Sequence, residues 1–281
     1  MKTTCLSPAK VNLFLKVLSK RPDGYHNIYS VVDPVSLYDL IHIEQLDSDR
    51  IIVKDDRGVL PEGERNTVYR AAKLIKEKYA VRKGVNIYVE KKIPIGSGLG
   101  GPSSNAAAVL KTLAGMWGIS VSDSEFNDLG KSIGADVPLF LYGKPCIMEG
   151  IGDIITPIEL PHLWYLIVYP NVVLSTKEAY SRLKIVLTNI ENDIKLMGNF
   201  KKIGDIADSL ENDLEQIGMA MCPQIKTIKD LLMKTGALGA LMSGSGSSIF
   251  GVFRSENDVE EASRFIQGAG SIFKAHSHRE G

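Results

Sequence analysis

One glycine-rich stretch, KKIPIGSGLGGPSSNAAAVL at residues 91–110, restricts the fold of this chain more than any other part of the sequence. Glycines allow backbone N–H groups to approach an anion closely, and a helical pattern of small residues follows them directly. The N-terminus of a helix adds a partial positive charge at the same place. The stretch therefore predicts a phosphate-binding loop that leads into a helix, with a plain tight turn before a helix as the alternative.

The start of this helix decides which groups face a bound phosphate. With Gly101 as the N-cap, Pro102 is the first helical residue, a position that tolerates proline because its N–H would be unpaired anyway. Ser103 and Ser104 then lie in the first turn, where their hydroxyls are able either to donate to a phosphate or to bind a metal ion. Pro102 also removes one backbone donor, which leaves the number of phosphate contacts open.

The loop also matches G-x-G-x-x-G at residues 96–101, a pattern typical of dinucleotide-binding folds. Those folds need a parallel βαβ unit and an acidic residue after the next strand. Here the preceding strand pattern at residues 85–89 alternates apolar and polar residues, whereas a central parallel strand is almost continuously apolar. Asp123 and Glu125 lie in a helix-capping pattern instead of after a strand. A nicotinamide dehydrogenase is therefore the weaker interpretation, and no G-K-[ST] follows to make a Walker A loop.

The composition excludes several other classes of protein. Lys plus Arg equals Asp plus Glu, 33 each, so the chain of 281 residues lacks the basic footprint of a nucleic-acid-binding protein. The three cysteines are far apart and form no C-x-x-C pair, which predicts reduced thiols in the cytoplasm. No apolar run approaches the length of a membrane-spanning helix, and Lys10 and Asn12 interrupt the only apolar segment near the N-terminus. We expect no membrane partner and no signal peptide.

Hydrophobic periodicity predicts a mixture of strands and helices in the N-terminal half. An alternating pattern indicates a half-buried strand at Val11–Val17, and strand patterns follow at Ile28–Val35 and Leu40–Glu44. Apolar residues at helical spacing predict a helix over Thr67–Tyr79. Another helix is expected to open with a capping box at Ser122–Glu125.

A glycine- and proline-containing segment at residues 150–160 marks the expected boundary between domains 1–155 and 156–281. The second domain begins with a buried strand at LWYLIVYP and continues with helical patterns, of which one long helix spans Ile203–Met221. Two strands around a glycine-serine loop, a helix and a final strand complete the chain. This β-α-β-β-α-β order predicts a ferredoxin-like split unit, and the whole chain is expected to be of the α+β class.

Three further places carry polar residues of interest. Lys10 and Asn12 share one face of the first strand and would frame a polar site, although a solvated face is the alternative. Asp136 lies between a helix end and an apolar strand in which Pro138 holds Val137 extended, although a cap or turn residue is the alternative. The loop Ser243–Ser247 offers a second set of backbone donors to an anion.

The stretches SPAKVNLFL, PIGSGLGGPSSNAA and LMSGSGSSIFGVF resemble the three motifs of the GHMP small-molecule kinases, in that family's order and spread. Within the family, PAKVNLFLKVLSKRPDGYHNIYSVV and GADVPLFLYG are similar to one enzyme of isoprenoid precursor synthesis, whose acceptor is a cytidine diphosphate-linked polyol. The similarity extends over essentially the whole chain. It implies a two-domain fold, with a ribosomal-protein-like βαβ domain that binds ATP, a ferredoxin-like C-terminal domain, and a substrate cleft between them.

The resemblance also implies ATP and Mg²⁺ as cofactors and transfer of the γ-phosphoryl group to an alcohol. Asn66 would contact adenine, although a plain helix N-cap is the alternative. The loop would hold the phosphates, and Ser104 or a water would be a metal ligand. The residues implied in ATP binding are Asn66, Pro94, Ile95, Gly96, Ser97, Gly98, Leu99, Gly100, Gly101, Pro102, Ser103 and Ser104, with Ser243, Gly244, Ser245 and Gly246 as the third motif.

The same resemblance assigns roles at the acceptor end. Asp136 would accept the proton of the attacking hydroxyl, while Lys10 would orient Asp136 and stabilise the charge that develops on the alcohol oxygen. Tyr25, His26 and Asn12 would read the cytidine, and Tyr180 would stack on the other face of the base. Packing of Tyr180 between domains is the alternative.

Two other functions stay open, namely a related kinase for mevalonate, homoserine or sugar alcohols, and a non-catalytic nucleic-acid-binding module. The DGYH turn argues against the first, and the lack of a basic patch argues against the second. The sequence leaves the oligomeric state open between monomer and homodimer.

Overall fold

The computed structural model describes residues 1–183 and 202–279. The strands of the described residues are, in chain order, β1 (Lys2–Lys20), β2 (His26–Leu46), β3 (Ile51–Asp55), β4 (Gly84–Glu90), β5 (Cys146–Gly150), β6 (Ile154–Pro157), β7 (Trp164–Tyr169), β8 (Glu211–Asn212), β9 (Gly239–Met242), β10 (Ile249–Phe253) and β11 (Ser271–His276). The helices are α1 (Thr67–Lys78), α2 (Gly101–Met116), α3 (Asp123–Ile133), α4 (Val137–Tyr142), α5 (Thr176–Arg182), α6 (Ile203–Asp208), α7 (Glu215–Met221), α8 (Gln224–Lys234) and α9 (Glu256–Phe265).

Contacts between residues divide the chain into two units, and both are discontinuous in sequence because the long strands β1 and β2 contribute to each. The first unit comprises Met1–Ala9, Tyr38–Ile93 and Gly100–Gly143. The second unit comprises Lys10–Leu37, Pro94–Leu99 and Lys144–Gly281. The division into domains 1–155 and 156–281 stays a prediction.

The first unit packs helices against one face of a sheet. In this unit β3 runs parallel to β4, and β4 pairs antiparallel with β2, so that Leu40 lies opposite Glu90. Alternation in β4 places Val85, Ile87 and Val89 in the core and leaves Tyr88 40% exposed on the outer face. The predicted apolar face of α1 is buried, and α1 packs on α2. The predicted capping box at the start of α3 is also present.

The second unit contains a four-stranded antiparallel sheet in the order β11-β7-β10-β9. Helices lie between β7 and β9 and between β10 and β11 along the chain, so the predicted split β-α-β-β-α-β order is confirmed. Buried apolar side chains from the sheet and from α8 and α9 form one core, including Leu166, Ile228 and Phe253. With this sheet and the helix-covered sheet of the first unit, the α+β class is confirmed.

Two predictions about these elements are wrong. The strand at Val11–Val17 is buried on both faces, because the polar side chains on its second face find buried partners, among them Asn12 with Ser30. The expected single helix over Ile203–Met221 is two helices separated by β8. β8 pairs in parallel with Phe14 and Leu15 of β1, and this pairing interrupts the helical hydrogen bonds.

Candidate active site

The glycine-rich loop adopts a conformation that only glycine takes readily. Gly96, Gly98 and Gly100 have φ values of 63°, 79° and 76°, in the left-handed region. A β-carbon at Gly98 would lie 2.1 Å from the carbonyl oxygen of Ser243, so a side chain does not fit there. The glycines are therefore required both by backbone conformation and by close contact with a second loop.

That second loop is the glycine-serine segment Ser243–Ser247, which docks on residues 94–99 within the second unit. The backbone N–H of Ser248 donates to the carbonyl of Ser97 (3.1 Å), and the hydroxyl of Ser243 donates to the carbonyl of Gly98 (3.1 Å). The hydroxyls of Thr176 and Ser245 are 2.8 Å apart. The structure thus brings together two loops that the sequence separates by more than a hundred residues.

Lys10 lies against the same loop. Its ammonium group donates to the carbonyl of Gly98 (2.7 Å) and to Oδ1 of Asn12 (2.5 Å), and its backbone N–H donates to the carbonyl of Leu99 (3.0 Å). Asn12 in turn donates from Nδ2 to the hydroxyl of Ser30 (2.8 Å). Lys10 and Asn12 are each only 5% exposed, so they form the predicted polar site and not a solvated face.

Helix α2 begins one residue earlier than predicted. Gly100 is the N-cap, so Pro102 is the second helical residue and not the first. The first helical hydrogen bond runs from the N–H of Ser104 to the carbonyl of Gly100 (3.0 Å). The N–H groups before Ser104 have no partner within a helix, which leaves Gly101 and Ser103 as backbone donors on either side of the proline.

Asp136 is the N-cap of α4, and the prediction of an extended segment followed by a strand is wrong. Val137 and Pro138 form the first turn of this helix, where proline is tolerated. The side chain of Asp136 makes no capping hydrogen bond, and the residue is half-buried. Two residues earlier, a β-carbon at Gly134 would lie 3.7 Å from the hydroxyl of Ser103. Within the first unit, the backbone that leads to Asp136 therefore lies beside the first turn of α2.

Asn66 occupies the N-cap of α1 and is 3% exposed. Its Oδ1 accepts a hydrogen bond from the N–H of Val68 (2.9 Å), so the plain capping role is present. The contact with adenine stays a prediction.

The residues predicted to read cytidine lie in the second unit. The rings of His26 and Tyr180 pack with their centroids 5.1 Å apart at an angle of 32°, while the adjacent Tyr25 is 59% exposed. Burial, with a smaller effect of Lys20, lowers the pKa of His26 below its ordinary value. A neutral imidazole offers one donor and one acceptor, which suits the uncharged edge of a pyrimidine.

Asp39 supports the start of the glycine-rich loop and was not predicted from the sequence. The fully buried carboxylate of Asp39 pairs with Lys91 and accepts from the N–H groups of Lys92 (2.7 Å) and Ile93 (2.9 Å), which fixes the chain just before the loop. The signal for it was an acid in the middle of an apolar strand, SLYDLIHI.

Asn212 and Glu215 support the second loop. These roles were not predicted, because the sequence pattern predicted one continuous helix through both positions. Nδ2 of Asn212 donates to the carbonyls of Met242 (2.7 Å) and Gly244 (2.8 Å). Glu215 accepts from the N–H of Met242 (3.0 Å) and pairs with Lys229 (2.5 Å). The pair Asn212-Asp213 was the available signal, because Asn and Asp side chains compete with the helical backbone for hydrogen bonds.

Neither a membrane-spanning helix nor a cluster of metal ligands occurs among the described residues. None of the helices in residues 1–183 and 202–279 is long and apolar enough to cross a membrane. The same residues contain no group of three or more His, Cys, Asp or Glu side chains arranged to hold a metal ion.

Comparison with known proteins adds independent findings. The family model described as GHMP kinases N terminal domain matches residues 66–144, and the one described as GHMP kinases C terminal matches residues 188–272. A protein of Clostridioides difficile (strain 630) named 4-diphosphocytidyl-2-C-methyl-D-erythritol kinase is 40% identical over 264 residues, which cover 90% of this chain and 87% of that protein.

Two solved structures are also similar to this chain. A crystal structure of 4-(cytidine 5'-diphospho)-2C-methyl-D-erythritol kinase is 30% identical, with a TM-score of 0.82 over 99% of this chain and 100% of that chain. A homoserine kinase from Cytophaga hutchinsonii ATCC 33406 is 21% identical, with a TM-score of 0.78 over 99% of this chain and 94% of that chain. The second likeness concerns the fold alone.

Proposed function

From the premise that the chain belongs to the GHMP kinase family and is a small-molecule kinase, we propose that it transfers the γ-phosphoryl group of ATP to the 2-hydroxyl of 4-diphosphocytidyl-2-C-methyl-D-erythritol. This reaction would place it in the non-mevalonate route to isoprenoid precursors. The names of relatives at about 40% identity support this acceptor. The observation that carries the chemistry is the docking of Lys10 and the Ser243–Ser247 loop on Gly98.

The triphosphate would bind along residues 94–104, where backbone N–H groups and the N-terminus of α2 supply positive partial charge. Asn66 would contact the adenine. Pro102 lies at the second helical position and lacks an N–H, so Gly101 and Ser103 are the donors of this turn. Mg²⁺ would arrive with the nucleotide, because the described residues contain no cluster of metal ligands and Mg²⁺ usually keeps its water and phosphate ligands.

In the transfer step, the acceptor O–H bond breaks, a new O–P bond forms, and the bond from the γ-phosphorus to the β-phosphate oxygen breaks to release ADP. Asp136 would take the proton of the hydroxyl as general base. Lys10 would orient Asp136 and stabilise the negative charge on the attacking oxygen. Its fixed hydrogen bond to Gly98 supports this role, since a preorganised donor needs no rearrangement during the reaction.

The cytidine end would lie among Asn12, Tyr25, His26 and Tyr180. Tyr25 has an exposed ring available for stacking on the base, and the neutral His26 would bond to its edge. The packed pair of His26 and Tyr180 supports this proposal because both rings already share one place in the second unit. A cytoplasmic enzyme acting as a monomer or homodimer would fit this reaction.

The test is ATP-dependent phosphorylation of the cytidine substrate by the purified protein, followed by ³¹P NMR. Mevalonate and homoserine serve as competing acceptors, because the homoserine kinase shares the fold at 21% identity. We expect a new phosphomonoester signal only with the cytidine compound. Faster turnover of homoserine or mevalonate would mean that this compound, and not the cytidine compound, is the acceptor. NAD binding tighter than ATP binding would contradict the proposed ATP site.

A further inference from the structure

A chain of hydrogen bonds links Lys10 to the interior of the second unit through two buried side chains. The ammonium group of Lys10 donates to Oδ1 of Asn12 (2.5 Å), and Nδ2 of Asn12 donates to the hydroxyl of Ser30 on the neighbouring strand β2 (2.8 Å). The hydroxyl of Ser30 in turn donates to the backbone carbonyl of Phe14 (2.6 Å). Ser30 is fully buried, so water does not readily take its place.

The donors and acceptors in this chain fix the direction of each bond. A carbonyl only accepts, so Ser30 gives its single hydroxyl proton to Phe14. The oxygen of Ser30 then has only lone pairs for Asn12, and the group that donates to it is Nδ2. The opposite orientation of the amide would place Nδ2 at 2.5 Å from the ammonium group, with a donor facing a donor. Oδ1 of Asn12 therefore faces Lys10.

Ser30 thus determines which end of the Asn12 amide faces the ammonium group of Lys10. The same ammonium group donates to the carbonyl of Gly98 (2.7 Å), so two fixed acceptors hold it. We propose that Ser30 is a positioning residue for the transfer step, which acts through Asn12 to hold the ammonium group in place. The proposal rests on the proposed function, in which Lys10 stabilises the attacking oxygen. Nδ2 of Asn12 has a second hydrogen, so this chain is compatible with the proposed contact between Asn12 and the cytidine.

A purely structural role for Ser30 predicts a different result from a positioning role. Removal of its hydroxyl takes away the partner of the Phe14 carbonyl and of Nδ2 in Asn12, which lowers stability under either role. Only the positioning role predicts that the loss of turnover depends on the presence of Lys10. Variants made with and without Lys10 therefore distinguish the two roles.

The first test is steady-state turnover of Ser30→Ala, Lys10→Met and the double variant. Ser30→Ala should lower kcat by about 10- to 100-fold, because misplacement of a reacting group by about 1 Å is enough to cost about 10²-fold. The KM for ATP should stay near the wild-type value, since the backbone donors of the glycine-rich loop are unchanged. The double variant should be no slower than Lys10→Met, because no ammonium group is then left to position. A kcat of Ser30→Ala near the wild-type value, or losses that multiply in the double variant, would overturn the proposal.

The second test needs no acceptor, so its result stands even if the cytidine compound is not the substrate. The ¹⁵Nζ signal of Lys10 is recorded by NMR in lysine-labelled protein and identified by its absence from Lys10→Met. Protons held in fixed buried hydrogen bonds exchange slowly, so this signal should be sharp in the wild type and lost by exchange with water in Ser30→Ala. A signal that is unchanged in Ser30→Ala, or absent from the wild type, would overturn the proposal. The expected signals without turnover of the cytidine compound would overturn the proposed acceptor and not the role of Ser30.

Three further variants make the result specific to the hydroxyl. Ser30→Thr and Ser30→Val introduce side chains of nearly the same shape, of which only threonine has a hydroxyl. Ser30→Thr should keep both turnover and the Lys10 signal, whereas Ser30→Val should lose both, as Ser30→Ala does. Ser36→Ala removes a hydroxyl from the same strand, where it accepts from the N–H of His276 (2.9 Å), and should keep wild-type turnover. Equal turnover of Ser30→Thr and Ser30→Val would overturn the proposal even if Ser30→Ala did not fold.

Discussion

The ammonium group of Lys10 is hydrogen-bonded to the carbonyl oxygen of Gly98, at 2.7 Å, in the middle of the glycine-rich loop. A second bond from the backbone of Lys10 to Leu99 fixes the first strand to the same loop. In the proposed transfer step, an ammonium group held in this way would need no rearrangement to stabilise developing negative charge.

Replacement of Lys10 by Met should therefore lower kcat by about 10²- to 10³-fold, the usual loss for one preorganised donor. Steady-state kinetics with saturating ATP measures this effect. Lys54→Met, which removes an exposed lysine from β3 in the first unit, is the control and should keep wild-type turnover. Turnover of Lys10→Met near the wild-type value would exclude Lys10 from charge stabilisation.

The next prediction concerns Asp136 as the proposed general base. Asp136→Asn keeps the shape of the side chain and removes the base, so kcat should fall by about 10²- to 10⁴-fold. The matched control is Asp128→Asn on the exposed side of α3. If Lys10 and Asp136 act on the same hydroxyl, the double variant should lose little more than the slower single variant. Multiplicative losses in that cycle would show that the two residues act separately.

A comparison of Gly98 with Gly118 distinguishes two requirements for glycine, namely a positive φ and close contact with another loop. Both have positive φ, 79° and 63°, but a β-carbon at Gly118 meets no atom within 4 Å, whereas one at Gly98 would overlap the carbonyl of Ser243. Gly118→Ala should cost about 1 kcal/mol in the free energy of unfolding and leave ATP affinity unchanged. Gly98→Ala should cost more than Gly118→Ala and also weaken ATP binding, measured by urea unfolding and calorimetry. Equal losses in both variants would mean that docking of the two loops is unimportant.

Features formed by residues that are close together in the sequence could be predicted from local patterns. The glycine loop, the polar face with Lys10 and Asn12, and the capping box at Ser122 were all visible within about ten residues of sequence. The segment that forms helix α4 was predicted to be extended, because proline disfavours helical backbone at the residue before it. Pro138 instead lies in the first turn of the helix, where its missing N–H costs nothing. The support that Asn212 gives to the second loop depends on partners about 30 residues away, and no hydrophobic periodicity predicts those contacts.

Asn212 offers a test of such a distant contact. Asn212→Ala removes the donor to the buried carbonyl of Met242 and to the partly buried carbonyl of Gly244. The expected loss is about 1–3 kcal/mol in the free energy of unfolding, accompanied by weaker ATP binding. Asn257→Ala, which removes an exposed bond to Glu261 on α9, should change neither quantity. Full stability with normal ATP binding in Asn212→Ala would show that the loop is held by its backbone alone.

Asp33 leads to a prediction about pH. Its carboxyl group is fully buried in the second unit, where it accepts hydrogen bonds from Tyr165 (2.8 Å), Ser277 (2.5 Å) and Arg279 (2.9 Å). Burial raises the pKa of Asp33, and the opposing effects of Arg279, Ser277 and Tyr165 do not cancel it. A carboxyl group whose pKa is raised in the folded state stabilises the protein fully below its unfolded pKa of about 3.9, and this stabilisation is lost as pH rises through the folded pKa.

Asn does not titrate, so the difference in unfolding free energy between wild type and Asp33→Asn should fall as pH rises from about 4 towards neutrality. Urea unfolding of both proteins at several pH values in that interval measures the slope. Asp23→Asn is the control, because the N–H of Tyr25 and then Arg21 lower the pKa of Asp23, and its contribution is lost only at more acidic pH. A difference for Asp33 that grew with pH would mean that Arg279 keeps the carboxylate ionised, with a pKa below its ordinary value.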